Sequence, residues 1–193
     1  MNEQIMVSVV CITYNHVDYI EEAIKGFVNQ KTDFKYEVII HDDASTDGTT
    51  QIVLDYAQRY PNLIKTIIQK ENIYNDLSND LMYDNLLPAS QGKYIALCEG
   101  DDYWIDEYKL QKQVDYMESR PECSLCASRY YSFEVSENCF WKPFGKKAEA
   151  DEIISDMDTL MSEINDFHTS TLVFRKECRL KHENFFRNKK VYD

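Results

Sequence analysis

Residues 94–102 read YIALCEGDD, so that a short apolar run leads directly into an acidic cluster. The run follows Gly92 and is too short for a helix, which predicts a buried strand over 94–98. Two similar runs lie earlier in the chain, VSVVCI at 7–12 and YEVII at 36–40. Because these runs are apolar throughout rather than alternating, they are typical of a parallel sheet that is covered on both faces.

Helical patterns separate the predicted strands. Apolar residues recur at helical spacing over 18–30 and over 49–60, where Pro61 ends the pattern. A further strand is predicted over 63–68 and a further helix over 106–119. This alternation predicts an α/β fold, with a mainly parallel central sheet and helices on both faces in a Rossmann-like arrangement.

The pattern is weaker in the last third of the chain. A long strand rich in Tyr and Phe is predicted over 124–135, a helix over 151–164 and a short strand over 169–174. With 193 residues the chain suits one domain that extends over 1–193.

The charge balance narrows the classes of partner. A net charge of −13 argues against a nucleic-acid footprint, which needs clustered Lys and Arg. An acidic protein that binds an anionic nucleotide needs a local cation, either basic side chains or a metal. No leader pattern is visible, and no apolar stretch approaches the roughly 20 residues of a membrane span. We therefore expect no transmembrane segment and a cytoplasmic location, with peripheral association at the inner face of the membrane left open.

Polar residues follow three of the predicted strands. Ligands of parallel α/β sheets bind beyond the carboxyl ends of the strands, so these residues are expected to meet at one edge. They form the segments 13–15, 42–43 and 99–102. Three carboxylates within 99–102 repel one another, and a divalent cation such as Mn²⁺ or Mg²⁺ would neutralise them. On the carboxylates alone, a solvated turn that caps the next helix explains this cluster equally well.

At these residues the chain resembles the family two glycosyltransferases of the GT-A fold. The resemblance is carried by the opening segment 7–30, by EVIIHDDASTDGT at 37–49 and by GKYIALCEGDDYW at 92–104, which holds the DxD-type motif. HTSTLVFRKE at 168–177 is a weaker similarity to a later strand of the family. The resemblance implies a nucleotide-binding part over 6–120 and the start of an acceptor-binding part over 121–193.

The resemblance also implies the chemistry. A family member would be an inverting enzyme that moves a sugar from a nucleotide diphosphate donor to a hydroxyl of a glycan or lipid-linked acceptor, in the synthesis of cell-surface polysaccharide or glycan. The nucleotide-binding positions are matched here by Thr13, Tyr14, Asn15, Asp43 and Asp101. Asp102 matches the principal ligand of Mn²⁺ or Mg²⁺, with Asp101 and Glu99 beside it. His168 is assigned to substrate binding, although a lone His is more often structural.

An inverting enzyme also needs a general base for the acceptor hydroxyl. The resemblance assigns this role to Asp193, with Asp166 as the alternative. Family members usually continue beyond the equivalent of Asp193, so we expect an incomplete acceptor site in this chain. Two other interpretations stay open from the sequence: a nucleotide-sugar-binding protein without activity, and a receiver-like signalling domain with acidic pairs at its strand ends.

Overall fold

The computed structural model describes residues 4–74, 81–134, 139–141 and 168–181. The predicted helix over 151–164 and the two candidate general bases, Asp166 and Asp193, lie outside these residues.

The central sheet has six strands, and its first four in space run parallel. Among the described residues the strands are β1 (Val7–Thr13), β2 (Tyr36–Asp42), β3 (Ile64–Ile68), β4 (Tyr94–Glu99), β5 (Leu125–Ala127), β6 (Ser132–Glu134), β7 (Cys139–Trp141) and β8 (Leu172–Arg175). Their order in the sheet is β3-β2-β1-β4-β8-β5, and β8 is antiparallel to both β4 and β5. The hairpin of β6 and β7 forms a separate two-stranded sheet.

Helices connect the parallel strands and cover the sheet. They are α1 (Ile20–Val28), α2 (Thr49–Arg59), a π-helix (Leu81–Leu86) that continues into α3 (Leu87–Ala89), α4 (Lys109–Ser119), a 3-10 turn (Thr169–Thr171) and α5 (Lys176–Lys181). Within the described part of the chain, no helix has both the length and the apolar character that crossing a membrane would require.

Buried side chains divide into two clusters, one on each face of the sheet. Side chains alternate between the faces along a strand, so neighbouring residues of β1 enter different clusters. Val9 packs with residues of α1, α2 and α4, whereas Val10 packs with Leu86 and Leu87. Complete burial of a side chain such as Phe27 contributes about 1.5–3 kcal/mol to stability. The predicted mainly parallel sheet with helices on both faces is confirmed.

The long strand predicted over 124–135 is wrong. The chain forms two short strands there, β5 and β6, in different sheets. β5 pairs with β8 only as far as Ala127 opposite Leu172, because the chain before Leu172 turns into the 3-10 turn. The amide of Ser128 then donates to the carbonyl of Thr171 at 3.2 Å, outside the ladder. The end of β5 is therefore set by the end of its partner β8, and the residue pattern of β5 alone does not show where β8 ends.

Candidate functional site

The registers of the parallel strands bring three polar segments to one edge of the sheet. Thr13 lies opposite Asp42 on β2, and Ile12 lies opposite Glu99 on β4. Hydrogen bonds continue beyond the strands, from the Asp43 amide to the Thr13 carbonyl at 3.0 Å and from the Gly100 amide to the Ile12 carbonyl at 2.9 Å. The expected meeting of these segments is therefore found.

The turn after β1 is bonded to the turn after β2. The Asn15 amide donates to Ser45 Oγ at 2.9 Å, and Asn15 Oδ1 accepts the Thr46 amide at 2.9 Å. Asn15 has φ of +56°, a left-handed conformation that Asn tolerates better than most residues. Tyr14, which precedes it, leaves 44% of its surface exposed. These bonds fix the backbone next to Tyr14 at the edge of the sheet, and the Tyr14 side chain is accessible there.

The two carboxylates of the second turn are buried and occupied by protein donors. Asp42 accepts the amide and hydroxyl of Ser45 and the hydroxyl of Thr50. Asp43 is 3% exposed and accepts the backbone amides of Ile73 at 2.8 Å and Tyr74 at 3.1 Å. Any donor on a ligand would have to share the oxygens of Asp43 with these amides.

The acidic turn after β4 brings two carboxylates together with a histidine from a distant segment. Glu99 and Asp102 are half-buried, whereas Asp101 is more exposed and lies 3.9 Å from His16 Nε2. His168 Nδ1 lies 3.4 Å from Asp102 Oδ2. Glu99, Asp102 and His168 each offer a ligand atom, and these atoms lie within 4.8 Å of one another.

The electrostatics of this group favour a bound cation. Burial raises the pKa of the Glu99 carboxyl, and the charge of Asp102 adds to the effect. Burial also raises the pKa of Asp102, against the opposing influence of His168. Glu99 Oε2 is buried without a hydrogen-bond partner among the described residues, a costly state for a carboxylate. The two carboxylates are ligands that suit Mn²⁺ and Mg²⁺, so they fit the expected metal, and the imidazole favours a transition metal such as Mn²⁺ over Mg²⁺.

Two residues of this site were missed by the sequence interpretation. His16 follows the predicted nucleotide segment directly, and a basic side chain there was a signal that could have been used. Trp104 donates its indole N–H to the Ser170 carbonyl at 2.8 Å and so links the acidic turn to the segment of His168. No local sequence pattern predicts this contact, because Trp104 and Ser170 lie 66 residues apart in the chain.

Residues 8–179 match the family model described as glycosyl transferase family 2. The match covers most of the chain, and the chain therefore belongs to the glycosyltransferase family 2. This membership confirms the resemblance that the three sequence segments carried and excludes the receiver-like interpretation.

Two relatives with curated sequences each match a little under two thirds of the chain. An uncharacterized protein of Mycobacterium tuberculosis is 49% identical over 119 residues, which are 62% of this chain and 33% of that protein. TuaG of Bacillus subtilis, named provisionally as a teichuronic acid biosynthesis glycosyltransferase, is 33% identical over 125 residues, covering 65% of this chain and 46% of TuaG. The chain thus spans between a third and a half of the length of these relatives.

Solved structures share the fold over nearly the whole chain. TarS of S. aureus in complex with UDP-GlcNAc has a TM-score of 0.65 at 21% identity, covering 93% of this chain and 48% of that one. The mannosyltransferase PcManGT of Pyrobaculum calidifontis, solved with GDP-Man and Mn²⁺, has a TM-score of 0.63 at 20% identity, covering 92% of this chain and 46% of that one. These matches confirm the GT-A type of sheet.

Proposed function

We propose that this chain binds a nucleotide diphosphate sugar with the help of Mn²⁺ or Mg²⁺ and belongs to an inverting transferase. The observation that carries the proposal is the convergence of Glu99, Asp102 and His168 at the sheet edge, next to the turn of Tyr14. TarS and PcManGT, which share the fold, were solved with UDP-GlcNAc and with GDP-Man, the latter with Mn²⁺.

Glu99, Asp102 and His168 would hold the metal. When bound, the metal neutralises the charge of the diphosphate and stabilises it as a leaving group. Asp101 is absent from the close group and half-exposed, so its carboxylate is available to accept a hydrogen bond from a ribose hydroxyl. This division gives the two adjacent aspartates different roles.

The turns after β1 and β2 would bind the nucleoside. The exposed face of Tyr14 suits stacking on a base, and Thr13 and Asn15 hold the backbone around it. Asp43 binds the backbone amides of Ile73 and Tyr74 and so keeps their segment beside the Tyr14 turn. An N–H group of the base would share the carboxylate oxygens of Asp43 with these two amides. Because each carboxylate oxygen has two lone pairs, such sharing is chemically allowed.

The acceptor side of the reaction rests on the family alone. We assign the general base to Asp193, with Asp166 as the alternative, and the acceptor to a glycan or lipid-linked hydroxyl. The name of TuaG supports a place in cell-surface polysaccharide synthesis. A cytoplasmic reaction, at the inner face of the membrane for a lipid-linked acceptor, fits this assignment.

Metal-dependent thermal stabilisation tests the proposal. The protein is melted with UDP-GlcNAc or GDP-Man, each in the presence of Mn²⁺, Mg²⁺ or EDTA. A donor at 100 times its Kd stabilises by about 2.7 kcal/mol, which corresponds to a rise in Tm of roughly 5–11 °C. Asp102→Asn should abolish the rise, whereas Asp115→Asn, which removes the same charge from the exposed face of α4, should keep it.

A wild-type protein that shows no metal-dependent shift with either donor contradicts this donor assignment. A shift with both donors and metal, but no transfer to water or sugar acceptors in product analysis, would favour binding without activity. Product analysis by mass spectrometry therefore separates the two interpretations.

A further inference from the structure

We propose that Trp104 is a positioning residue for the metal site, because its indole N–H holds the segment 168–171 against the acidic turn and so delivers His168 to Asp102. The inference rests on the proposed function in one respect: it takes Glu99, Asp102 and His168 as the ligand set.

The segment that carries His168 needs an anchor of its own. β8 pairs with β4 at three positions, and the last pair towards the site is Val173 with Ala96. Before Val173 the chain turns, and the Thr171 amide and hydroxyl both bond to the His168 carbonyl, at 2.9 and 2.6 Å. These local bonds shape the turn, but they do not attach it to the acidic turn.

Three side chains supply the attachment by donating to two carbonyls of the turn. Trp104 Nε1 donates to the Ser170 carbonyl at 2.8 Å, in a buried position. Gln113 Nε2 and Lys109 Nζ donate to the Thr171 carbonyl at 2.9 and 3.4 Å. Gln113 and Lys109 belong to α4, whereas Trp104 lies two residues after Asp102, so of these three donors Trp104 is the one next to the acidic cluster in the chain. Its bond acts beside the side-chain hydrogen bond between Ser170 and Asp102.

Trp104 is itself held on three sides. Its ring meets the Phe27 ring edge-on with centroids 5.0 Å apart, and Lys109 Nζ lies 4.4 Å from the ring centroid. Its backbone packs against Gly26 of α1, where an added Cβ would lie 2.9 Å from the Trp104 carbonyl oxygen. The indole is therefore a rigid donor on the core rather than a surface side chain that adapts to the turn.

The bond from Trp104 reaches the His168 ring through one residue. Ser170, whose carbonyl accepts the indole, also has its hydroxyl 2.8 Å from His168 Nδ1. Fixing Ser170 therefore fixes the orientation of the imidazole relative to Asp102. Because Nδ1 is engaged by the Ser170 hydroxyl, Nε2 is the nitrogen left for a metal. A partner that holds the other nitrogen of a metal-binding His in this way typically changes metal affinity 10–100-fold when it is removed.

The test is the affinity for Mn²⁺ alone, measured by electron paramagnetic resonance of the free ion. Trp104→Phe keeps an aromatic ring against Phe27 and Lys109 but removes the N–H donor. We expect the Kd for Mn²⁺ to rise about 10-fold. Gln113→Met, which removes the donor to the Thr171 carbonyl, is a second variant and should change the Kd in the same direction.

Tyr94→Phe is the matched control. It also removes one buried polar group from an aromatic residue of the same core, where the Tyr94 hydroxyl bonds to Glu118 and Arg175. We expect a lower Tm for both aromatic variants but an unchanged Kd for Tyr94→Phe. A merely structural role of Trp104 would make the two variants behave alike in both measurements.

Two further readouts test the inference, and the first of them needs no metal. In the metal-free protein, the ¹⁵N chemical shifts of the His168 ring should change in Trp104→Phe and stay constant in Tyr94→Phe. His168→Ala should weaken Mn²⁺ binding strongly in the wild type but little in Trp104→Phe. If Asp102→Asn abolishes binding while Trp104→Phe retains the wild-type Kd and ring shifts, the inference is overturned. If the wild type does not bind Mn²⁺ at all, the metal site fails, whereas the ring shifts of the metal-free protein still decide whether Trp104 positions His168.

Discussion

Gly100→Ala tests whether the acidic turn is held in place by close contact with β1. A Cβ at Gly100 would lie 2.5 Å from Thr13 Oγ1, 2.7 Å from Thr13 Cβ and 2.9 Å from His16 Nδ1. Thr13 is only 1% exposed and belongs to β1, so it has no room to withdraw. The acidic turn must therefore move away from β1, and the 2.9 Å bond from the Gly100 amide to the Ile12 carbonyl is lost or lengthened.

The expected cost follows from these two terms. Overpacking of a dense region costs about 1–3 kcal/mol, and a lost hydrogen bond costs about 0.5–1.5 kcal/mol. Together they predict a loss of about 1.5–4.5 kcal/mol, which lowers the Tm of a protein of this size by roughly 3–18 °C. Because the same movement displaces Glu99 and Asp102 relative to His168, we expect the Kd for Mn²⁺ to rise by at least about 10-fold.

Gly92→Ala provides the matched control in the same two assays. Its Cβ would collide with backbone atoms of Ser8, Val7 and Tyr94, at the opposite end of the same pair of strands. We expect a comparable or larger loss of Tm with an unchanged Kd for Mn²⁺. A Gly100→Ala protein that melts like the wild type and binds Mn²⁺ with the wild-type Kd would refute the reasoning. Equal losses of affinity in both glycine variants would show that affinity follows stability instead of turn geometry.

Two further predictions concern the charges and the backbone of the site. Burial raises the pKa of Glu99 and of Asp102, so the stability that these groups contribute to the metal-free protein falls as pH rises from their unfolded pKa values to the raised folded values. Glu99→Gln should therefore raise the Tm of the metal-free protein at pH 7 while weakening Mn²⁺ binding, and a lower Tm would contradict this. In the wild type, the Kd for Mn²⁺, measured by calorimetry, should rise as pH falls from the raised folded pKa values to the unfolded ones. Ala44 has φ of +64°, a conformation that costs a residue with a Cβ roughly 1–2 kcal/mol in the folded state. Glycine avoids this strain but loses about 0.5–1 kcal/mol more conformational entropy than alanine on folding. Ala44→Gly should thus raise Tm by up to about 6 °C in differential scanning calorimetry, and a fall in Tm would show that the strain is absent.

Much of the fold could be predicted because its elements are encoded by local patterns. The strands expected at 7–12 and 94–98 are observed as Val7–Thr13 and Tyr94–Glu99. The helix expected from 106 begins instead at Lys109, because the side-chain amide of Gln30, just after α1, donates to the Asp106 carbonyl at 2.8 Å and holds that part of the chain outside the helix. A contact with a distant segment shifts the boundary, and the local periodicity does not show it.

The candidate site could be predicted only in part for a related reason. Glu99 and Asp102 follow a strand, so the rule for parallel sheets places them at the ligand-binding edge. The same rule placed Asp43 there, but it could not show that Ile73 and Tyr74 occupy the oxygens of Asp43. The family resemblance, and not this rule, distinguished Asp102 as the principal metal ligand from Asp101, and of the two only Asp102 lies in the close group with His168.

The sequence by itself determined the class of fold, the family and the edge of the sheet at which a ligand would bind, because strand length, apolar runs and strand-end polar residues are local properties of the chain. Only the tertiary structure decided that His168 lies beside Asp102 and that Trp104 holds its segment there. The antiparallel pairing of β8 with β4 brings residues more than 60 positions apart together. This pairing depends on β4 being the outermost of the four parallel strands, with one side left to pair. The order of the strands is a property of the assembled sheet and not of any one segment.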